Sequence, residues 1–167
     1  EYWEEQANAI ASRGRRILAF AVKTVKPEHT VLEHDDVQDS LILLGMAGLI
    51  DPPRQEAIES IAKCHHAGID VKMITGDHAV TASAIGKQLG LRNSDRVITG
   101  QELDKLDDDQ LNSIVCDTGI FARTSPEHKL RLVMALQANE MTVAMTGDGV
   151  NDAPALKRAG VGVAMGK

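Results

Sequence analysis

The stretch MTGDGVNDAPALKRAG, residues 145–160, ends an apolar run in an acidic, glycine-rich turn and then begins a helical pattern. A plain surface turn needs one or two glycines and one capping residue. This turn instead places three oxygen-bearing side chains within five residues, namely Asp148, Asn151 and Asp152. Such oxygens suit Mg²⁺, which usually takes one or two carboxylates and completes its shell with water and phosphate. The alternative is that Asn151 or Asp152 caps a helix with Pro154 in its first turn, which explains only one of the three.

Short apolar runs alternate with amphipathic helical segments along the chain from residue 55 onward. This alternation predicts right-handed crossovers and an α/β fold with a parallel sheet and flanking helices. The predicted strands are 69–74, 97–99, 119–122, 142–145 and 161–165. The predicted helices are 55–67, 78–89, 126–138 and 152–158, with acidic helical turns over 101–114. Because ligands of such sheets bind beyond the carboxyl ends of the strands, the quoted turn lies where a ligand is expected.

A second turn repeats part of the first, since VKMITGD (71–77) and VAMTGD (143–148) both end in Thr-Gly-Asp. The hydroxyl of Thr75 can donate to an anionic oxygen, and Gly76 lets the backbone approach that oxygen closely. The helix that follows adds the positive end of its dipole, so the turn has the features of a phosphate site. The alternative is that Asp77 only caps the 78–89 helix. Either the repetition is chance reuse of a good turn, or both turns hold one ligand.

Lys129 lies in FARTSPEHKLRLVMAL (121–136), at the start of a helix that follows a predicted strand. A lysine at such a position is usually solvated. Here the preceding strand brings it to the same edge of the sheet, where its ammonium could neutralise a phosphoryl group. His128 and the pair His65 and His66 have no partners at ligand spacing, so we expect them to be surface residues.

Composition and charge limit the classes of function. Hydrophobic residues make up 43% and charged residues 25% of the 167 residues, which is typical of a globular chain. The formal net charge of −6 argues against a nucleic-acid groove and a basic membrane-binding patch. Cys64 and Cys116 are far apart in sequence and are expected to be buried free thiols of a reducing compartment. The apolar run at 41–50 is about half the ~20 residues of a membrane helix.

The N-terminal part, residues 1–50, has a different pattern of predicted helices and strands from the rest of the chain. A helical pattern covers 1–14, and strands are predicted over 17–25 and 41–50. Pro52 and Pro53 then interrupt both helix and strand, so they predict a rigid joint between domains 1–50 and 51–167. The first and last residues give no sign of a natural start or stop, and we expect a piece of a longer protein.

Four motifs, in the order DPPR, MITGD, FARTSPEHK and TGDGVNDAPALKRA, together resemble the cytoplasmic part of the P-type cation-transporting ATPases. The resemblance covers nearly the whole chain. It implies the haloacid dehalogenase-like fold, a Rossmann-like parallel sheet with flanking helices, with a small N-terminal remnant of the nucleotide-binding domain. It also implies that residues 1–50 are the tail of that domain and residues 51–167 the second part of the phosphorylation domain.

The resemblance implies roles at the phosphorylation site. Asp148 would be the Mg²⁺ ligand, and Asn151 and Asp152 would order the metal and phosphate site. Lys129 would neutralise the transferred charge. Contact with the phosphoryl group would come from the first turn, whose residues are Thr75 and Gly76, supported by Asp77.

The resemblance further implies nucleotide and hinge residues. Arg16, within RRILAFA (15–21), would reach the phosphates of ATP, and Arg123 would lie near the nucleotide. Asp51 and Arg54 would belong to the hinge between the two domains. ATP and Mg²⁺ are therefore the expected substrate and cofactor. In the whole protein we expect ATP-driven cation transport through an aspartyl-phosphate, in the cell membrane, with this segment on the cytoplasmic side.

One family motif does not occur in this sequence, the Asp-Lys-Thr-Gly-Thr string that carries the phosphorylated aspartate. We therefore expect the chain by itself to be inactive. Two other classes stay open: a soluble haloacid dehalogenase-type phosphatase and a non-catalytic binding or regulatory module. The double-proline joint resembles pumps for Ca²⁺, Na⁺/K⁺ or H⁺ more than those for heavy metals, with a mild preference for Ca²⁺.

The missing motif also has a consequence for shape. In the family the strand with the phosphorylated aspartate lies between the strands that end in the two Thr-Gly-Asp turns. An open gap would leave unpaired backbone groups beside apolar side chains. We therefore expect the gap to be closed, either by collapse of strands 69–74 and 142–145 onto each other or by strand exchange in a dimer, with 17–25 as donor.

Overall fold

The computed structural model describes residues 2–49 and 52–165. The helices are α1 (Tyr2–Ala11), α2 (Gln55–His66), α3 (Ala79–Leu89), α4 (Gly100–Leu103), α5 (Asp108–Ile114), α6 (Pro126–Ala138) and α7 (Ala153–Arg158). The strands are β1 (Arg16–Val22), β2 (Ile42–Leu49), β3 (Met73–Thr75), β4 (Val97–Thr99), β5 (Ile120–Ala122), β6 (Ala144–Gly147) and β7 (Val161–Ala164). Short 3₁₀ turns cover His34–Val37 and Val150–Asp152. The predicted elements are thus present, with their ends shifted by a few residues.

The strands of the described chain form three sheets. β1 and β2 pair as an antiparallel hairpin. β3, β5 and β4 form a parallel sheet in that order, and β6 pairs with β7 in a second parallel sheet. The predicted parallel α/β architecture with a small N-terminal hairpin is therefore confirmed.

β3 is shorter than predicted, because its first residues have other partners. Gly68 has a φ of 78°, and the Ile69 amide donates to the Cys64 carbonyl at 2.8 Å, so this segment finishes the preceding helix. The Lys72 ammonium then donates to the carbonyl oxygens of Cys116 and Thr118 at 2.7 and 2.8 Å. Strand pairing begins only at Met73, opposite Ile120.

β5 is the most deeply buried strand, and its alternating side chains serve two faces of the sheet. Ile120 and Ala122 pack on one face in a cluster with Ala82 and Leu91. Phe121, which is 1% exposed, packs on the other face. The buried residues around it are Leu103, Leu111, Val115, Leu132 and Ala135. The helices on both faces of β5 therefore make up the main core.

The two parallel sheets share apolar contacts but not hydrogen bonds between β3 and β6. Ile74 of β3 packs against a cluster formed by Val133, Val143, Met145 and Ala155. In the described residues β3 ends one sheet and β6 ends the other. The predicted collapse of these strands onto each other is therefore wrong, and residues of α6 pack in the apolar clusters of both sheets instead. Strand exchange with a second copy stays a prediction.

The N-terminal hairpin exposes much apolar surface. Phe20 and Leu44 are 52% and 66% exposed. α1 contacts both hairpin strands and also α3, which attaches the hairpin to the rest of the fold. Within the described ranges, no helix combines the length and apolar character that a membrane crossing requires. Cys64 and Cys116 are free thiols, as expected, but they are half-buried rather than buried.

The two phenylalanines of the chain offer a matched test of this packing. Phe121→Ala removes a ring from the centre of the core, so we expect the free energy of unfolding to fall by about 3–5 kcal/mol. Phe20→Ala removes a half-exposed ring, and a loss of about 1 kcal/mol or less is expected. Urea unfolding followed by circular dichroism measures both. Equal losses would contradict the assignment of β5 to the core.

Candidate functional site

The first Thr-Gly-Asp turn is closed by its own side chains. The Thr75 hydroxyl accepts from the Asp77 amide at 3.1 Å and donates to the Asp77 carboxylate at 3.2 Å. The cap of α3 is His78, whose Nδ1 accepts from the Val80 amide at 3.4 Å. The alternative that Asp77 only caps the helix is therefore wrong. Asp77 braces Thr75 instead, in line with the supporting role that the resemblance implies.

A cleft of about 430 Å³ lies between the N-terminal hairpin and this turn. Its polar lining includes Arg16, Asp77 and Arg123, three of the predicted site residues. Nη2 of Arg16 lies 3.1 Å from Oδ1 of Asp77, and these residues are 61 positions apart in sequence. Tertiary structure thus brings the predicted nucleotide-contacting arginines to the edge of the first turn.

Gly76 leaves open space in this cleft. A Cβ added at Gly76 would meet no atom within 4 Å, and its φ lies outside the left-handed range. Neither packing nor backbone conformation within the chain requires a glycine there. The glycine keeps a polar wall of the cleft open to a bulky anion, which is the use expected of it in a phosphate-binding turn.

The second turn is built around a partly buried ion pair. Nζ of Lys129, on the first turn of α6, lies 2.5 Å from Oδ1 of Asp152, which is 5% exposed. The other Asp152 oxygen accepts from the Gly149 amide at 3.3 Å. A Cβ on Gly147 would lie 2.6 Å from that of Asp152, so only glycine fits beneath this carboxylate. Asp152 makes no side-chain cap to α7, so capping does not account for it.

The surroundings of Asp152 favour its charged form. The hydrogen bond from Lys129 is the main cause that lowers the pKa of Asp152 below its ordinary value of 3.8. Burial opposes this effect, and the Gly149 amide adds to it. Asp152 is therefore a fixed negative charge at neutral pH, and it holds the Lys129 ammonium at the carboxyl end of β6.

The other two predicted oxygen ligands are exposed to solvent. Asp148 and Asn151 are both exposed, directly after β6. The Asp148 carboxylate makes no hydrogen bond or ion pair to another residue of the ranges 2–49 and 52–165. No three His, Cys, Asp or Glu side chains of those ranges are arranged as a metal site. One free carboxylate beside an amide oxygen fits Mg²⁺, which keeps several waters and completes its shell with phosphate.

The two turns differ in structure although their sequences match. Thr75 ends β3, whereas β6 continues past Thr146 to Gly147. The cleft is lined by the first turn and not by the second. The idea that both turns hold one ligand therefore stays a prediction.

His128 is not the free surface residue that was expected. Its side chain is 11% exposed, Nδ1 accepts from the Ser125 amide at 3.0 Å, and Nε2 lies 2.8 Å from the Asp104 carboxylate. The signal was present in the sequence, since a serine three residues earlier is the first half of a capping box. The partner Asp104, 24 positions away, could not be read from sequence.

The hinge residues are described in part. Arg54 is exposed and immediately precedes α2, with an extended backbone (φ −65°, ψ 142°). Asp51 lies outside the described residues. The predicted boundary between domains 1–50 and 51–167 falls between β2 and α2.

Sequence comparison places this chain in a known family. The profile of the haloacid dehalogenase-like hydrolases matches residues 2–160. The chain belongs to that family. The parallel sheets with flanking helices are thus those of a haloacid dehalogenase-like hydrolase.

Three curated relatives refine this result. The chain is 52% identical over 166 residues to the cation-transporting ATPase pma1 of Synechocystis, a match that covers 98% of this chain and 18% of the relative. It is 48% identical over 167 residues to calcium-transporting ATPase 1 of Lactococcus lactis, covering 99% and 19%. It is 47% identical over 158 residues to the calcium-transporting ATPase of Bacillus subtilis, covering 94% and 18%. These matches confirm the predicted resemblance to cation-transporting ATPases, of whose length the chain spans less than a fifth.

The lowered pKa of Asp152 gives a pH-dependent test. Asp152→Asn removes the charge that pairs with Lys129, so at pH 7 we expect a loss of about 1–3 kcal/mol in unfolding free energy. A lowered pKa contributes stability above pH 3.8 that is lost as the pH falls through the native pKa. The difference between wild type and variant should therefore shrink below pH 3.8. Urea unfolding of both proteins at a series of pH values measures this difference in unfolding free energy.

Asp148→Asn is the matched control for that experiment. Asp148 is exposed and four residues away, so its variant should stay within about 0.5 kcal/mol of wild type at every pH. A loss as large as that of Asp152→Asn would show that general charge, not the pair with Lys129, sets the stability.

Proposed function

We propose that this chain is part of an ATP-driven membrane cation pump that works through an aspartyl-phosphate. The observation that carries the proposal is the Lys129–Asp152 pair, held at the carboxyl end of β6 beside the free carboxylate of Asp148. Identities near 50% to cation-transporting ATPases over nearly the whole chain support it. Residues 1–50 would be the end of a nucleotide-binding domain and residues 51–167 part of a phosphorylation domain.

In the proposed pump, Asp148 holds Mg²⁺, with Asn151 ordering the waters around it. Bound Mg²⁺ would neutralise charge on a phosphoryl group. Asp152 orients Lys129 through their ion pair, so that the ammonium faces the same edge of the sheet. The buried carboxylate fixes the direction of this lysine, and preorganised charge of this kind stabilises a phosphoryl-transfer transition state.

The first turn and the cleft would bind the rest of the substrate. The Gly76 amide would donate to a phosphoryl oxygen. The Thr75 hydroxyl, which donates to the Asp77 carboxylate in this structure, would turn its proton to the phosphoryl group when substrate binds. Arg16 and Arg123 supply positive charge in the cleft for the phosphates and ribose of ATP. Asp51 and Arg54 form the hinge about which the nucleotide-binding part moves.

Two other classes are less well supported. A stand-alone phosphatase has no need of an N-terminal hairpin with apolar strands in solvent, which this chain has. The chain of 18.0 kDa exposes 11446 Å², against about 8,000 Å² for a compact monomer of that mass. This excess supports packing against further protein. A non-catalytic module would have no use for a partly buried lysine–aspartate pair beside a free carboxylate.

The relatives favour Ca²⁺ as the cation that the whole protein would transport. Two of the three relatives named above are calcium-transporting ATPases, which agrees with the mild preference for Ca²⁺ drawn from the double-proline joint. The whole protein would lie in the cell membrane, with these residues on the cytoplasmic side.

A magnesium titration tests the metal assignment. We expect Mg²⁺ to shift the amide resonances of residues 146–152 only at high concentration, because one carboxylate leaves most of the shell to water. Asp148→Asn should abolish these shifts, and Asp70→Asn, a carboxylate paired with Lys72 elsewhere, should not. Shifts that persist in Asp148→Asn would refute Asp148 as the ligand.

Incubation with radiolabelled ATP tests whether Asp77 and Asp148 only support the site or become phosphorylated themselves. Without the Asp-Lys-Thr-Gly-Thr aspartate, we expect no hydroxylamine-sensitive phosphoenzyme and no ATP hydrolysis by this chain. Label on Asp77 or Asp148 would overturn their supporting roles. Magnesium-dependent hydrolysis of a simple phosphate ester would instead favour the phosphatase alternative.

A further inference from the structure

Arg123 has an unusual backbone conformation for its place in the fold. In the described ranges four non-glycine residues have a positive φ: Ser40, Asn93, Arg123 and Glu140. Of these, Arg123 directly follows the buried strand β5 and lines the cleft, with a φ of 51°. Residues with side chains rarely adopt this conformation, and it persists only where the surroundings hold it, often at functional sites.

The first support of Arg123 is the N-terminus of α4. Gly100 is buried, and a Cβ added there would overlap the carbonyl oxygen of Arg123. The backbone of α4 therefore packs directly on the Arg123 peptide group. On the other side, the amide of Thr124 donates to the Thr75 carbonyl at 3.3 Å, which fixes the next residue to the end of β3.

The second support is the ring of His128, which packs against Gly100. The same added Cβ would lie 3.0 Å from Cε1 of His128. Nδ1 accepts the Ser125 amide proton, so a neutral ring carries its proton on Nε2 and donates it to Asp104. Asp104 immediately follows α4, and the ring therefore links both ends of that short helix to the start of α6.

We propose that His128 is a positioning residue for Arg123. Its ring, fixed between the Ser125 amide and the Asp104 carboxylate, holds α4 against the Arg123 carbonyl and so keeps Arg123 in the left-handed conformation. That conformation turns the arginine into the cleft that also contains Arg16. The identity of the ligand as a nucleotide rests on the proposed function, whereas the link from His128 to Arg123 rests on the geometry alone.

Such a support has a clear use. If an arginine must change its backbone conformation before it binds an anion, the free energy of that change lowers its affinity for the anion. An arginine that is already held in the binding conformation avoids this cost. The positioning also explains why the contacts of His128 run to α4 rather than into the cleft. His128 is absent from the cleft lining.

Variants of Asp104 test this proposal, because Asp104 is 68% exposed at its side chain and its removal should not prevent folding. Asp104→Ala removes the acceptor of the His128 ring, and Asp104→Asn keeps an oxygen acceptor there. Asp108→Ala is the matched control. It also removes an exposed carboxylate, and the partner of that carboxylate, Arg131, lies on α6 as His128 does. All three changes remove one negative charge.

Nuclear magnetic resonance of the chain gives two independent readouts. The intraresidue amide–Hα Overhauser effect of Arg123 is strong only at positive φ, and the ¹⁵N shifts of His128 report its tautomer. Titration with ATP, followed at the cleft residues, gives the affinity. We expect the strong Arg123 signal and the Nε2–H tautomer in wild type, Asp104→Asn and Asp108→Ala, and a loss of both in Asp104→Ala. ATP affinity should fall about tenfold in Asp104→Ala only, as for one lost charge-assisted hydrogen bond.

The outcomes separate the inference from the proposed function. An unchanged Arg123 signal and tautomer in Asp104→Ala would overturn the positioning role, and so would an equal loss in Asp108→Ala. If wild type shows no ATP-dependent shift at Arg16 and Arg123, the nucleotide assignment fails. The backbone readout of Arg123 then still decides the positioning role.

Discussion

Helix α6 packs against both parallel sheets, and the rest of the site depends on that double contact. Leu132 belongs to the core beneath β5, while the adjacent Val133 belongs to the core beneath β6. Successive residues of a helix point about 100° apart, so one helix can serve two sheets. Because α6 fixes the sheets relative to each other, it also brings its first turn to the carboxyl ends of their strands.

The N-terminal turn of helix α6 makes polar contacts with residues beside both parallel sheets. Lys129 reaches Asp152 of the second turn, and His128 reaches Asp104 after α4. Both contacts are short hydrogen bonds to carboxylates, which are stronger than bonds between neutral groups. The lysine is thereby fixed to Asp152 of the second Thr-Gly-Asp turn, and the histidine ring packs against Gly100, which also lies against the Arg123 carbonyl.

Much of this could be predicted from sequence, because local patterns determine local structure. The strand of Ile120–Ala122 and the helix of Pro126–Ala138 follow from apolar runs bounded by Ser125 and a proline at the first helical position. The two Thr-Gly-Asp turns also lie at the carboxyl ends of parallel strands, as predicted, although those strands belong to two sheets. Strand β3 was predicted too long, since its pairing begins only at Met73, opposite Ile120, and that partner is distant in sequence.

The sequence by itself determined the alternation of strands and helices, the two Thr-Gly-Asp turns and the family, because these depend on residue order alone. Only the tertiary structure decided which groups pair: Arg16 with Asp77, Lys129 with Asp152, and His128 with Asp104. Those partners are 61, 23 and 24 positions apart. Each pair forms because core packing fixes where two distant segments of backbone meet. The number of residues between two positions does not determine how close they lie in the folded chain.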